Sequence, residues 1–514
     1  MKRKNLKLGT VLLLIVFIIG SLGNSSVFAA ASPYPYAAAY PFGLSSPATD
    51  QSAANTMLQN DWNEWKSQNI TSTGAGGFKR VGINDTVSEG MGYGMLLAVF
   101  FNDQVLFDQL YSYVQLHTNS EGNMMWHIQA DGTPFPDGEG SATDGDEDIA
   151  AALCIAYKQW PGGGIHSYYN EAVKRVNVLW NHNVEQSTFT LKPGESWGGT
   201  NCLNASYFAP AWYRIFADIT GNTGWISVAD RSYEVVKNIQ SLTTTGLIPA
   251  WSKADGSPSG GMNYTYQYDS IRYGLRAAID YCWFGTPEAK TTVDKLAATW
   301  NSKGIANIID GYKIDGTPTG TSHSTAFVAT SAVTAMTGTD KTLAQTFYNE
   351  AVKTKDKTNT YYGNSLRLQC LLLMTGNMPN IYGTKLVAIK SMANGKYVNA
   401  ENSGSSSLIA SQIQVVSSAK FEMIDLGNGN VALKSKSNGK FVSAWNSGGS
   451  PLIACSEHVA KWETFKLIKT SDGKYAFQAA ANGKYVCAEN SGSSPLIADQ
   501  IHIETWEKFE IINQ

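Results

Sequence analysis

Ile149, Leu153, Ala156 and Trp160 recur at i, i+4, i+7 and i+11, the spacing that lines one face of an α-helix. Met91 to Phe100, Ser270 to Trp283 and Lys341 to Val352 carry the same periodicity. Between such segments run loops rich in Gly, Ser, Asp and Trp. The pattern predicts a mostly helical domain with elaborate loops over about residues 32–378. Trp62, Trp65, Trp160 and Trp300 fall within helical patterns and are expected in its core. A run of turn formers over residues 375–384 then breaks the periodicity, and residues 379–384 read as a linker.

Beyond it the chain repeats itself at an interval of 44 residues. Asn394-Gly395-Lys396-Tyr397-Val398 returns as Asn438-Gly439-Lys440-Phe441-Val442 and as Asn482-Gly483-Lys484-Tyr485-Val486. Each copy continues through an Asn-Ser-Gly stretch and a Leu-Ile-Ala (Leu408, Leu452, Leu496) to Phe421, Phe465 or Phe509. Asn-Gly between short β-branched or aromatic runs is a strong hairpin signal. Three copies of several short strands predict a three-fold all-β unit over residues 385–514. The pattern resembles a β-trefoil of the fascin-like or carbohydrate-binding type, without the Gln-x-Trp signature of ricin-type lectins. Trp445 lies in a turn where the other copies carry Glu401 and Glu489, which makes it the candidate for stacking on a sugar.

The amino terminus predicts an export signal. Lys2, Arg3, Lys4 and Lys7 precede a short apolar run from Val11 to Leu22, and small residues near Ala29 to Ala31 suit cleavage, giving a signal peptide over residues 1–31. A membrane span needs about 20 apolar residues, and this run is cut short. A secreted, extracellular, soluble monomer is expected. The formal net charge is −3 with 16% charged residues, so no basic field exists to draw nucleic acid or an anionic membrane. The six cysteines show neither CxxC nor Cys/His spacing, and free buried thiols are expected, with no metal site.

Three acidic clusters stand where helices should begin: Ser88-Glu89-Gly90, Thr143-Asp144-Gly145-Asp146-Glu147-Asp148 and Tyr268-Asp269-Ser270. An acid at a helix start is usually a cap, stabilising by about 1 kcal/mol. Other chemistry fails on spacing. Asp144, Asp146 and Asp148 imitate a calcium loop, but the sixth position is not Gly and the twelfth is Ile155. Gly90, Gly92 and Gly94 lack the strand-turn-helix context of a dinucleotide site, and neither G-x-S-x-G with a matching His nor H-E-x-x-H occurs. What remains is carboxylate chemistry among aromatic loops, with no cofactor.

The stretch from Ala142 through Asp148 to Trp160 resembles the signature of glycoside hydrolase family 8. So do Ser88-Glu89-Gly90-Met91-Gly92-Tyr93-Gly94, Tyr207-Phe208-Ala209-Pro210-Ala211-Trp212-Tyr213 and Tyr361-Tyr362-Gly363-Asn364-Ser365-Leu366-Arg367. The resemblance implies an (α/α)6 barrel carrying an inverting, endo-acting enzyme on cellulose, mixed-linkage β-glucan, xylan or chitosan. It implies Glu89 as general acid, Asp269 as general base and Asp144 as a third acid holding the sugar at the cleavage point. It further implies Trp126, Trp197, Tyr207 and Tyr362 as substrate contacts, and Arg272 as a residue steadying the acidic cluster. The glucanase-type branch fits because the Asp269 position is filled. The expected activity is an endo-β-1,4-glucanase acting on a β-glucan, with a lichenase next and chitosanase or xylanase behind, and polysaccharide contact through the trefoil is a further expectation. A glycan-binding surface protein with an inert barrel is the non-enzymatic alternative.

The residues bear on that chemistry directly. Inversion needs one protonated carboxyl to donate to the leaving oxygen and one carboxylate to activate water on the opposite face, the two about 6.5–9.5 Å apart. A helix N-terminus lowers a carboxyl pKa. Burial and like charge from Asp144 must therefore outweigh it if Glu89 is to stay protonated. Arg272, just after Asp269, is expected to help that residue keep a low pKa.

Overall fold

The computed structural model describes residues 34–514 apart from 37, 39, 45, 74–76, 358–360, 428 and 458. The signal-peptide segment therefore lies outside the described residues. Among these, twelve helices of eight or more residues precede residue 378. They are α1 (Gln51–Asn69), α2 (Ser88–Phe100), α3 (Gln104–Leu116), α4 (Thr143–Gln159), α5 (Tyr168–His182), α6 (Pro210–Thr220), α7 (Gly224–Ser241), α8 (Arg272–Phe284), α9 (Pro287–Lys303), α10 (Thr325–Ala332), α11 (Lys341–Lys353) and α12 (Tyr361–Met374).

Burial sorts them into two layers. In α2, α4, α10 and α12 nearly every residue is buried, and α6 and α8 are almost as dry. In α1, α5, α7, α9 and α11 a single stripe is buried, as in surface helices. The even-numbered helices touch in sequence, and α12 returns to α2, so they close an inner ring. Each odd-numbered helix packs outside its partner: α1 on α12, α3 on α2, α5 on α4, and so on round. The face of α4 read from Ile149, Leu153, Ala156 and Trp160 is thus only part of the picture. An inner helix is covered on all sides, and its other faces carry small residues (Gly145, Ala150, Ala151, Ala152) and, in the first turns, buried acids (Asp144, Asp146, Glu147, Asp148). Trp62, Trp65 and Trp300 are buried as expected, while Trp160 is partly covered and donates to Asn102 Oδ1 at 2.8 Å.

From Thr384 the chain is all β. Each repeat contributes four strands, for instance Thr384–Ser391, Tyr397–Asn399, Ile409–Gln412 and Lys420–Gly427 in the first. The first and fourth strands of the three repeats pair antiparallel in a closed cycle of six, and the middle pairs form three hairpins. The repeat residues show what sets this geometry. Leu408 N–H donates to Leu452 O, Leu452 to Leu496 and Leu496 back to Leu408, each at 2.8 Å, a closed triangle on the three-fold axis. Asn394, Asn438 and Asn482 each accept from the Lys N–H two residues on and donate to Ala410, Ala454 or Ala498. Phe421, Phe465 and Phe509 fill the core beneath.

Residues 375–383 have neither helix nor strand, in line with their turn formers, yet they are closely packed. Trp283 Nε1 donates to Met378 O at 3.0 Å, and the Tyr382 hydroxyl donates to Cys154 O at 2.8 Å. Phe42 also packs against Ile424, Leu426, Ala432 and Phe441 of the β region. The six cysteines are all free, four of them buried.

Candidate active site

Glu89 and Asp144 each occupy the second position of an inner helix, α2 and α4. Neither is a cap. The N-cap residues are Val87 and Ala142, and neither makes a side-chain capping bond. Glycines bring the two acids together. A Cβ on Gly145 would fall 2.5 Å from Ser88 C and 2.6 Å from Glu89 N, and one on Gly92 would fall 2.8 Å from Asp148 Cβ. The two helix starts therefore meet backbone to backbone, which is why this sequence alternates Gly with acids and aromatics. Gly145→Ala would push against the Ser88 and Glu89 backbone as well as Ser88 Oγ. It should destabilise the fold by about 1–3 kcal/mol and also reduce kcat, because Glu89 and Asp144 would be forced apart. Thermal melts beside initial rates check this, and a variant that loses neither would remove the close crossing as a cause.

Arg272, the first residue of α8, reaches between them. Its side chain is 2% exposed, and its Nη1 donates to both Glu89 Oε2 and Asp144 Oδ2. Its Nε donates to Ser206 Oγ at 3.3 Å, and its guanidinium lies over the Tyr207 ring at 4.8 Å. Tyr361, opening α12, donates to Glu89 Oε1 at 3.0 Å. One turn deeper, Arg276 pairs with Glu147 Oε1 at 2.6 Å and Asp148 Oδ2 at 3.0 Å. Tyr213 and Trp212 satisfy the remaining oxygens of that pair at 3.0 and 2.8 Å. Asp146 accepts from Met124 N–H at 2.7 Å. Four acids thus share two guanidinium groups, with Asp146 buried beside them, an excess of buried negative charge that favours protonation of some.

Burial is what pushes the Glu89 carboxyl up to about 7, against Arg272 and the Tyr361 bond, with Asp144 and Asp269 adding to the rise. Burial likewise raises Asp146 to about 7, and Glu147 and Asp148 upward despite Arg276. Exposure separates their uses. The Glu89 side chain keeps 17% of its surface open against 4% for Asp144 and less for Glu147 and Asp148. Glu89 is the protonatable acid that a ligand can touch.

Asp269 sits in a different setting. It lies in a single 3-10 turn, Tyr268–Ser270, just before α8, fixed by reciprocal bonds between Gln267 and Ser270. Its carboxylate is exposed and accepts from Gln267 Nε2 at 3.0 Å. Arg272 is not its partner, contrary to the sequence reading. The change from 3-10 turn to α-helix leaves Asp269 outside and Arg272 inside, and the two connect only through Ser206, whose hydroxyl donates to Asp269 O at 2.5 Å.

Aromatic side chains continue outward from this cluster. Trp197, 45% exposed, lies 5.5 Å from the Trp251 ring, which lies 6.3 Å from Tyr207. Trp126 is partly exposed, and its carbonyl accepts from Ser88 N–H at 3.0 Å, which ties its loop to the start of α2. The Tyr362 hydroxyl donates to Tyr268 O at 2.6 Å beside Asp269. All eight residues singled out from the sequence therefore lie on one connected set of contacts. Tyr361, Trp251, Gln267 and Ser206 belong to it and were not singled out. Trp251 carried the same signal as Trp197, an indole in a loop of small and polar residues, and Tyr361 stood beside Tyr362 in a motif already noticed.

The sequence profile of Glycosyl hydrolases family 8 matches residues 32–376, and that of a Domain of unknown function (DUF7910) matches residues 422–513. Endoglucanase 2 of Ruminiclostridium josui is 47% identical over 386 residues, covering 73% of this chain and 84% of that protein. Endoglucanase A of Acetivibrio thermocellus is 46% identical over 390 residues, covering 74% and 82%. Among solved structures, the apo beta-1,3-1,4-glucanase from Paenibacillus sp. X4 superimposes with a TM-score of 0.62 at 30% identity, over 68% of this chain and 99% of that one. With the motifs, the helical architecture and the family profile over residues 32–376 in agreement, this chain belongs to glycosyl hydrolase family 8.

Proposed function

We propose that this family 8 hydrolase is a secreted, monomeric, inverting endoglucanase that cuts β-1,4-glucosidic bonds in cellulose or mixed-linkage β-glucan. One observation carries the mechanism: two carboxyls border the same aromatic surface in opposite environments. Glu89 is half-buried and held protonated near neutral pH, while Asp269 is open to water. Such a split is how one site runs acid and base together. Glu89 gives its proton to the glycosidic oxygen as the bond to the anomeric carbon breaks. A water attacks that carbon from the other face and loses a proton to Asp269, so a β-linkage yields an α-product. Asp144 and Arg272 fix Glu89, and Trp126, Trp197, Tyr207 and Tyr362 hold the glucan chain. The endoglucanase names of its relatives support this substrate, and the mixed-linkage glucanase among the structural neighbours keeps lichenase activity as the second reading.

Initial rates on carboxymethyl-cellulose, barley β-glucan, xylan and chitosan test it. We expect viscosity to fall well ahead of reducing-end release on one of the first two. Action on none of the four, or release of single sugars from chain ends, would sink the proposal. The pH profile is a separate check. The acid works only while protonated, so kcat/KM should decline about tenfold per unit above the Glu89 pKa of about 7. An alkaline limb near pH 5 would take Glu89 out of that role.

The closed helical ring is read as an (α/α)6 barrel and the three-fold β region as a β-trefoil that contacts polysaccharide, with the division between Gly383 and Thr384. A chain ending at Gly383 should keep close to the full rate on soluble glucan. One ending at Met378 should be less stable by about 2–4 kcal/mol, because it loses the Tyr382 contacts. Melting curves of the two decide the point, and equal curves would make 379–384 a mere spacer.

A further inference from the structure

The three β repeats serve as controls for one another. Residues that maintain the fold recur in all three, whereas the wall residue at position 418 does not. Ala400, Ala444 and Ala488 N–H groups donate to Ser418, Trp462 and Trp506 carbonyls at 2.9, 2.8 and 2.9 Å, which makes those three positions equivalent. Two repeats carry an indole there and the first carries a serine. Beside Ser418 lies an open groove of about 620 Å³, bordered by Asn399, Glu401, Gln412, Val416 and Lys436. That volume is in the range of about 300–1,000 Å³ typical of ligand clefts.

The groove contains an unmet hydrogen-bonding demand. Asn399 is 2% exposed, and its Nδ2 donates to Glu401 Oε1 at 3.2 Å. A carboxylate only accepts, so the amide orientation is settled. Asn399 Oδ1 is then a buried acceptor with no partner among the described residues. Such groups are uncommon in folded proteins and call for an explanation. Glu401 Oε1 also accepts from Ser411 Oγ at 2.9 Å, which leaves Oε2 capacity for a ligand hydroxyl. Lys436 is paired with Glu422 at 2.6 Å, so the groove does not call for an anion. Val416, 40% exposed, adds an apolar wall. The ligand that suits it is neutral, dense in hydroxyls that both donate and accept, and apolar on one face. A sugar chain has those properties.

We propose that the groove of the first repeat is a glycan-binding site for β-glucan chains, distinct from the catalytic cleft. The choice of β-glucan rests on the function proposed above. Hydrogen exchange on full-length Glu89→Gln protein, with and without cellohexaose, separates the two. The expected result is added protection in residues 397–418 as well as in the cleft around Trp197 to Tyr207. Ser418→Trp installs the indole that the other repeats already accommodate and should abolish the first effect while sparing the second. Asn399→Ala, which leaves the groove open, should weaken the protection at 397–418 roughly tenfold in ligand concentration. Without ligand, both variants should keep the wild-type exchange protection of the β region outside residues 397–418, which reports that this region folds. Protection of the cleft alone overturns the proposal and leaves the catalytic reading standing. Protection of neither region overturns both. Loss on Trp445→Ala with Ser418→Trp unaffected would move the site to the second repeat and also overturn it.

Discussion

Glu89→Gln is expected to lower kcat on soluble β-glucan by about two to four decades, with KM little changed. The amide keeps the size of the carboxyl; its oxygen can accept from Arg272 and its NH2 can donate to the Tyr361 hydroxyl oxygen, so the site should remain assembled. What it cannot do is release a proton to the leaving oxygen. The two bonds on Glu89 sharpen this. Arg272 donates to Oε2 and can never accept, so the proton of the neutral acid belongs on Oε1, where the Tyr361 hydroxyl can rotate from donor to acceptor. A substrate with an activated leaving group needs less protonation, and the variant should regain much of its rate on one. The helix-cap explanation makes an opposite forecast, a stability loss of about 1 kcal/mol with little change in rate. Rate and melting temperature measured on one preparation discriminate, and an unchanged kcat would remove Glu89 from the mechanism.

The sequence and the structure agree best where local pattern and chemistry coincide. Glu89 and Asp144 were legible because each begins a helix whose periodicity is plain, whereas the close crossing at Gly92 and Gly145 was not, since the partner backbone lies on another helix. The three-fold β region was legible because its hairpin and axis residues recur every 44 positions. Arg272 misled because sequence proximity favours a near partner. It lies three residues from Asp269, but its partners Glu89 and Asp144 lie 183 and 128 residues away. Only closure of the inner ring places them within its reach. The same closure buries every face of α4, which an amphipathic pattern cannot express. Tyr382 is a further case: in a run of turn formers it reads as linker, and only the fold supplies the Cys154 carbonyl it bonds.

Asp269→Asn should be about as damaging as Glu89→Gln, through the other half of the reaction. Without a base the attacking water keeps its proton as it bonds to the anomeric carbon, and rate falls by about two to four decades. An activated leaving group should not help, since departure was never its defect. That asymmetry distinguishes base from acid more firmly than either loss alone. Asp144→Asn should differ from both. Its carboxylate shares the Arg272 Nη1 with Glu89, so neutralising it removes like charge that raises the Glu89 pKa and frees Arg272 to hold Glu89 ionised. The alkaline limb should then move to lower pH, a shift that neither of the other two variants predicts. Stereochemistry is the final arbiter of the pairing. Glu89 and Asp269 share no bond; a guanidinium and the Ser206 hydroxyl stand between the acid and the turn that carries the base. An inverting pair must stand about 6.5–9.5 Å apart to leave room for water, whereas a nucleophile and acid stand about 5–5.5 Å apart. NMR of the first products from a β-glucan should therefore show the α anomer before mutarotation. A β anomer at early times would mean a covalent intermediate, and Asp269 would then be a nucleophile or a bystander rather than a base.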